Sequence, residues 1–74
     1  MEARLTELEP GVVAKITRVE GGHGFQRRLR TRGLREGRSV SLVTRQPGGP
    51  IVVRIGGTQF SIGRGVARKV IVEV

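Results

Sequence analysis

Apolar residues recur along this chain with two different periods, and the changes of period mark its elements. Between Val12 and Val19, Val12, Ala14 and Ile16 alternate with the mixed set Val13, Lys15, Thr17 and Val19, which predicts a first strand. Ser39 to Arg45 sets Val40 and Leu42 against Ser39, Ser41 and Val43, predicting a second. Gln46-Pro47-Gly48-Gly49-Pro50 then interrupts the pattern as a hairpin connection does. Ile51, Val53 and Ile55 define a third strand, Ile51 to Ile55. Gly56-Gly57 suits a primed two-residue turn, because both positions can take positive φ, and Thr58 to Ile62 follows as a fourth strand with Phe60 and Ile62 on one face. Residues 63–68 leave room for one helical turn before Lys69 to Val74 resumes alternation through Val70, Val72 and Val74. At the other end, Leu5 and Leu8 precede the turn signal Glu9-Pro10-Gly11 and predict a short lead-in that docks its two leucines. About five short strands with frequent turns in a single domain, residues 1–74, predict a mainly β fold built as a small closed or nearly closed barrel.

One stretch keeps a helical period. After Glu20-Gly21-Gly22-His23-Gly24, Phe25 and Leu29 stand four residues apart and share one face, giving a short apolar stripe. Gly33 follows at the spacing of a helix-terminating glycine, where positive φ is needed. The prediction is a short helix inserted between the first two strands. With Phe25 and Leu29 turned inward, Arg27 and Arg30 point outward and Arg28 and Arg32 lie at the flanks, forming a cationic ridge.

Charge strengthens that feature. The chain holds 14 Lys and Arg against 6 acidic residues, a formal charge of +8, and its one composition shift is the arginine-rich run from Arg27 to Arg38. A field of this sign attracts nucleic acid, anionic lipid or an acidic protein surface. The bland alternative is a solvated surface with no partner. Cysteine is absent, which removes disulfides and thiolate ligands from consideration. The longest apolar runs, such as Val70-Ile71-Val72, fall far short of the ~20 residues needed to span a bilayer, and a cytoplasmic chain is expected.

Candidate catalytic chemistry is sparse. His23 is the sole histidine, there is no aspartate, tyrosine or cysteine, and the glutamates lie singly apart from Glu7 and Glu9, so no enzyme activity is expected. His23 with Glu20 makes half a metal site, since transition-metal sites take three or four protein ligands. His23 therefore reads as a polar residue of a glycine-rich loop, and no metal ligand set or cofactor is assigned. Gly21, Gly22 and Gly24 before a helix suggest a phosphate cradle, but the spacing matches neither the P-loop nor the dinucleotide fingerprint. Nucleic-acid binding through the ridge would be directed at the backbone, because the two aromatics, Phe25 and Phe60, fall at core positions and leave no stacking platform. Proline-rich peptides are disfavoured for want of Tyr and Trp.

In this order and spacing, Pro10-Gly11, the Val-rich strand, Glu20-Gly21-Gly22, Arg27-Arg28-Leu29, Gly33-Leu34-Arg35-Glu36-Gly37, Val40, Pro50-Ile51, Gly57-Thr58, Ile62 and Ala67-Arg68-Lys69-Val70 resemble the FeoA family across nearly the whole chain. The resemblance implies an SH3-like barrel with a helical excursion between its first two strands, a module also found at the C-terminus of some DtxR-type metalloregulators. It further implies a stand-alone cytoplasmic accessory protein of ferrous-iron uptake, acting on the FeoB-type membrane transporter, whose cytoplasmic part is a GTP-binding domain. Where the family commonly has an apolar residue, an acid and Met or Leu before the glycine, this chain has Arg30, Thr31 and Arg32. The expected partner surface is Phe25, Arg27, Arg28, Arg30, Leu34 and Arg35, binding without catalysis, with the protein peripheral at the inner face of the membrane through the transporter. The alternative is a basic barrel of the same fold that binds RNA or DNA backbone non-specifically. Contact of the ridge with anionic lipid is a third reading.

Overall fold

The computed structural model describes all residues 1–74. Six strands form one antiparallel sheet: β1 (Glu2–Arg4), β2 (Val13–Val19), β3 (Ser39–Arg45), β4 (Ile51–Ile55), β5 (Thr58–Ile62) and β6 (Val70–Glu73), in the order β1-β6-β2-β3-β4-β5. Two helices accompany them, α1 (His23–Thr31) between β2 and β3 and α2 (Arg64–Ala67) between β5 and β6, with a 3₁₀ turn at Leu5–Glu7. The expected inserted helix and the single turn after the fourth predicted strand are both present.

The mainly β architecture of short strands with an inserted helix is the one expected, and it departs from a fully closed five-stranded barrel in two details. An additional strand, β1, pairs with β6 through Glu2 with Glu73, Ala3 with Val72 and Arg4 with Ile71. The sheet also stays open, ending at β1 on one side and β5 on the other. It curls nonetheless, because the register shifts between Ile16 and Arg18 on β2 and between Leu42 and Thr44 on β3, and such bulges bend a strand and increase its twist.

Alternation dictates which side faces the core. Ala14 and Ile16, Val40 and Leu42, Ile51, Val53 and Ile55, Ile62, Val70 and Val72 are all buried in one cluster, joined by Leu5 and Leu8 from the lead-in and Leu29 and Leu34 from the helical insertion. Val13, on the opposite face of β2, is 66% exposed. The last strand departs from expectation: Val74 lies beyond β6 and is 54% exposed, whereas Ile71, on the outer face, is buried. Ile71 sits between Arg4 of β1 and Arg18 of β2 in the ladder, so two long arginine stems flank it while their guanidinium groups reach water. In the Gly56-Gly57 turn, only Gly56 takes positive φ.

Candidate functional site

Local sequence fixes α1 at both ends. Gly22 is its N-cap, and Gln26 ties the start of the helix to the end of β2 by donating from Nε2 to the carbonyls of Val19, at 3.1 Å, and Gly21, at 2.9 Å. At the other end the Leu34 amide donates to the Leu29 carbonyl at 2.9 Å and the Gly33 amide to the Arg30 carbonyl at 3.0 Å. This is the paired bonding of a Schellman motif, with Gly33 at φ 91° and the apolar contact supplied by Leu34 and Leu29 in the core. The chain then returns to the sheet through Gly37 N to Ile16 O at 2.8 Å and Ile16 N to Arg38 O at 2.9 Å. Helix and turn are thereby bonded to β2 on both sides.

On this frame the expected partner residues separate into groups. Arg27, Arg28, Arg30 and Arg35 are exposed. Arg28 and Arg32, one turn apart, line a groove of about 300 Å³ between α1, β5 and α2, whose other lining residues are Phe25, Leu29, Ser61, Ile62, Gly63 and Val66. Arg30 and Arg35 instead line a recess of about 260 Å³ on the β2 side, with Val19, Gln26, Leu34 and Glu36. Phe25 is half-buried, packed on the core, and the Lys69 Nζ lies 5.1 Å from its ring centroid. Leu34 requires a correction: at 1% exposed it is a core residue that shapes the turn and presents no side chain to a partner. Arg32 was expected on the flank of the ridge beside Arg28, but Ser61, Ile62 and Val66 were missed as groove residues, because β5 and α2 lie some thirty residues from α1 and no local pattern announces that they meet it.

Four of the arginines outside this face, Arg4, Arg18, Arg45 and Arg64, are committed to partners within the chain, whereas the exposed Arg54 and Arg68 make no ion pair. Arg4 pairs with Glu20 at 3.2 Å and Arg18 with Glu2 at 3.2 Å and Glu20 at 3.7 Å, all on the outer face over Ile71. Arg45 donates from Nη1 to the carbonyls of Thr6 at 2.6 Å and Leu8 at 3.0 Å, holding the lead-in against β3. Arg64 donates to the carbonyls of Gly49 and Gln46 and closes the β3–β4 loop. The remaining ion pair joins the N-terminal ammonium to Glu73. None of Arg27, Arg28, Arg30, Arg32, Arg35 or Arg38 takes part in any ion pair. The arginines of the α1 face are therefore held in no ion pair within the molecule.

The chemistry this face offers is cationic and apolar contact, with Glu36 as its one carboxylate. Glu20, the carboxylate nearest His23 in sequence, is engaged by two arginines, and nowhere do three His, Asp or Glu side chains come together as a metal ligand set. Both phenylalanines are half-buried against the core, and Lys69 Nζ sits over the Phe25 ring, so neither offers a whole ring face as a base-stacking platform. No helix is long and apolar enough to cross a membrane.

A family model described as FeoA domain matches residues 3–74. Over 58 residues the chain is 31% identical to a protein of Methanocaldococcus jannaschii named "Putative Fe(2+) transport protein A", covering 78% of this chain and 70% of that one. Among solved structures, it is similar to a crystal structure of the iron uptake regulatory protein FeoA, with TM-score 0.91, 35% identity and coverage of 97% and 96% of the two chains. It is also similar to Stenotrophomonas maltophilia FeoA, described as a prokaryotic SH3 domain protein and solved in complex with zinc, with TM-score 0.82, 33% identity and coverage of 96% and 89%.

Proposed function

The chain belongs to the FeoA domain family, and from that premise we propose that it is a non-catalytic accessory protein of ferrous-iron transport whose α1 face docks on an acidic surface of the cytosolic GTP-binding domain of a FeoB-type transporter. The observation that supports this reading is the sorting of charge. Every ion pair of the chain lies away from α1, while Arg27, Arg28, Arg30 and Arg35 stand exposed on a helix and turn bonded to the sheet at both ends. A rigid, preorganised cationic surface loses little freedom on binding and favours a partner of opposite sign. Apolar carbon from Phe25 and Val66 beside the arginines gives the contact a centre that salt does not screen. The protein then works on the cytoplasmic side and reaches the membrane through its partner.

Charge reversal tests the reading. Arg27→Glu with Arg30→Glu should weaken binding of the GTP-binding domain about tenfold or more, measured by titration calorimetry. The two side chains make no hydrogen bond or ion pair within the chain, so the fold should be retained. Unchanged affinity in the folded double variant would remove α1 from the interface.

A further inference from the structure

The groove between α1 and β5 lies beside an unfinished sheet. β5 is the last strand of the sheet and pairs only with β4. The two-residue turn at Gly56-Gly57 closes on the pair Ile55 and Thr58, and in an antiparallel ladder inward and outward residues alternate from there. Thr58, Phe60 and Ile62 thus bond to β4, while Gln59 and Ser61 direct their backbone N–H and C=O groups away from it. Ser61 also lines the groove, whose floor is Phe25, Leu29, Ile62 and Val66 and whose rim carries Arg28 and Arg32. Three complementary requirements therefore meet in one place: free strand hydrogen bonds, an apolar floor and two unpaired cations. Exposed edges of this kind recruit another strand unless they are covered or charged.

We infer that this groove takes an extended segment of a partner protein, added as a further antiparallel or parallel strand on β5, with apolar side chains on the floor and carboxylates on Arg28 and Arg32. Strand addition provides main-chain hydrogen bonds, and the alternating side chains provide selectivity. Charge selects an acidic segment over a neutral or basic one, because Arg28 and Arg32 have no carboxylate partner of their own. Nucleic acid lacks both the strand backbone that the Gln59 and Ser61 edge demands and the aliphatic side chains that the floor accommodates. The inference rests on the reading that the α1 face docks a protein partner, and adds the form and chemistry of the contact.

The test uses the whole chain, isotopically labelled, and three capped hexapeptides: alternating leucine and glutamate, alternating leucine and lysine, and the leucine–glutamate peptide with alternate amides N-methylated. The acidic peptide should bind saturably and slow the hydrogen exchange of the Gln59 and Ser61 amides. The lysine peptide and the N-methylated peptide should each bind about tenfold more weakly or worse. Arg28→Glu with Arg32→Glu should reverse the preference in favour of lysine, a readout that mere loss of folding cannot mimic. Equal binding of the acidic and N-methylated peptides, absence of binding by the acidic peptide, or protection of Gln59 and Ser61 by self-association of the protein without peptide would each overturn the inference. A parallel titration with the transporter's GTP-binding domain separates the two claims. Domain binding that depends on Arg27 and Arg30 while the peptides stay silent overturns the groove and leaves the docking reading standing; peptide binding with no domain binding does the reverse.

Discussion

Gly21 adopts φ 125°, and a Cβ built there would lie 2.7 Å from Cδ2 of the Phe25 ring. Both the backbone and the space are therefore closed to any other residue. Gly21→Ala should cost on the order of 1 to 3 kcal/mol in denaturant melts and displace Phe25, visible as shifted ring resonances. Leu29 is 5% exposed in the core, and Leu29→Ala should destabilise by about 2 to 5 kcal/mol, read by the same melts. A loss much below 1 kcal/mol there would mean that α1 packs less closely than described. Residue identity was legible in sequence where the requirement is local, as for Leu29 and the helix-terminating Gly33. It was not legible for Leu34, whose burial depends on the chain folding back under α1. Nor was it legible which arginines are structural: Arg45 and Arg64 are bound to carbonyls 15 to 39 residues away, and only the tertiary fold brings these together.

Among the elements, the lead-in shows how a short segment is held without much secondary structure of its own. Leu5 and Leu8 enter the core, the Glu7 carboxylate accepts from the Arg4 amide at 2.7 Å, and Arg45 bridges the Thr6 and Leu8 carbonyls. Replacing Arg45 by Met keeps the stem and deletes the donors, and should cost about 1.5 to 3 kcal/mol by denaturant melting, with exchange protection lost first in residues 2–8. No change would show the bridge to be incidental. The strands β3, β4 and β5 have the bounds that alternation predicts, because each is delimited by a turn signal adjacent in sequence. β1 escaped that reasoning. Its three residues have no alternation to speak of and are ordered by pairing with β6, at the far end of the chain. The sheet stays open because its end strands, β1 and β5, do not pair with each other, which leaves β5 as an edge beside the groove lined by α1.

Taken whole, the molecule has a face where opposite charges neutralise one another and a face where arginines stand alone. On the first, Arg18→Met keeps an apolar stem beside Ile71 while removing two half-exposed ion pairs, and should change stability by no more than about 1 kcal/mol in denaturant melts. On the second, Arg27→Glu with Arg30→Glu lowers the formal charge from +8 to +4, two units for each reversal, and relieves repulsion among like charges. That double variant should melt at the same temperature as the parent or above it. The contrast follows from placement of charge, which composition alone does not reveal. The most direct measurement of the central claim is an NMR titration of the labelled chain with the GTP-binding domain of the FeoB-type transporter from the same source. It should be run at low and near-physiological salt beside duplex RNA. Saturable shifts centred on residues 25–37 are expected with the transporter domain, and they should persist at the higher salt. Shifts of the arginines with RNA alone, abolished by salt as expected of phosphate contacts, would contradict the central claim.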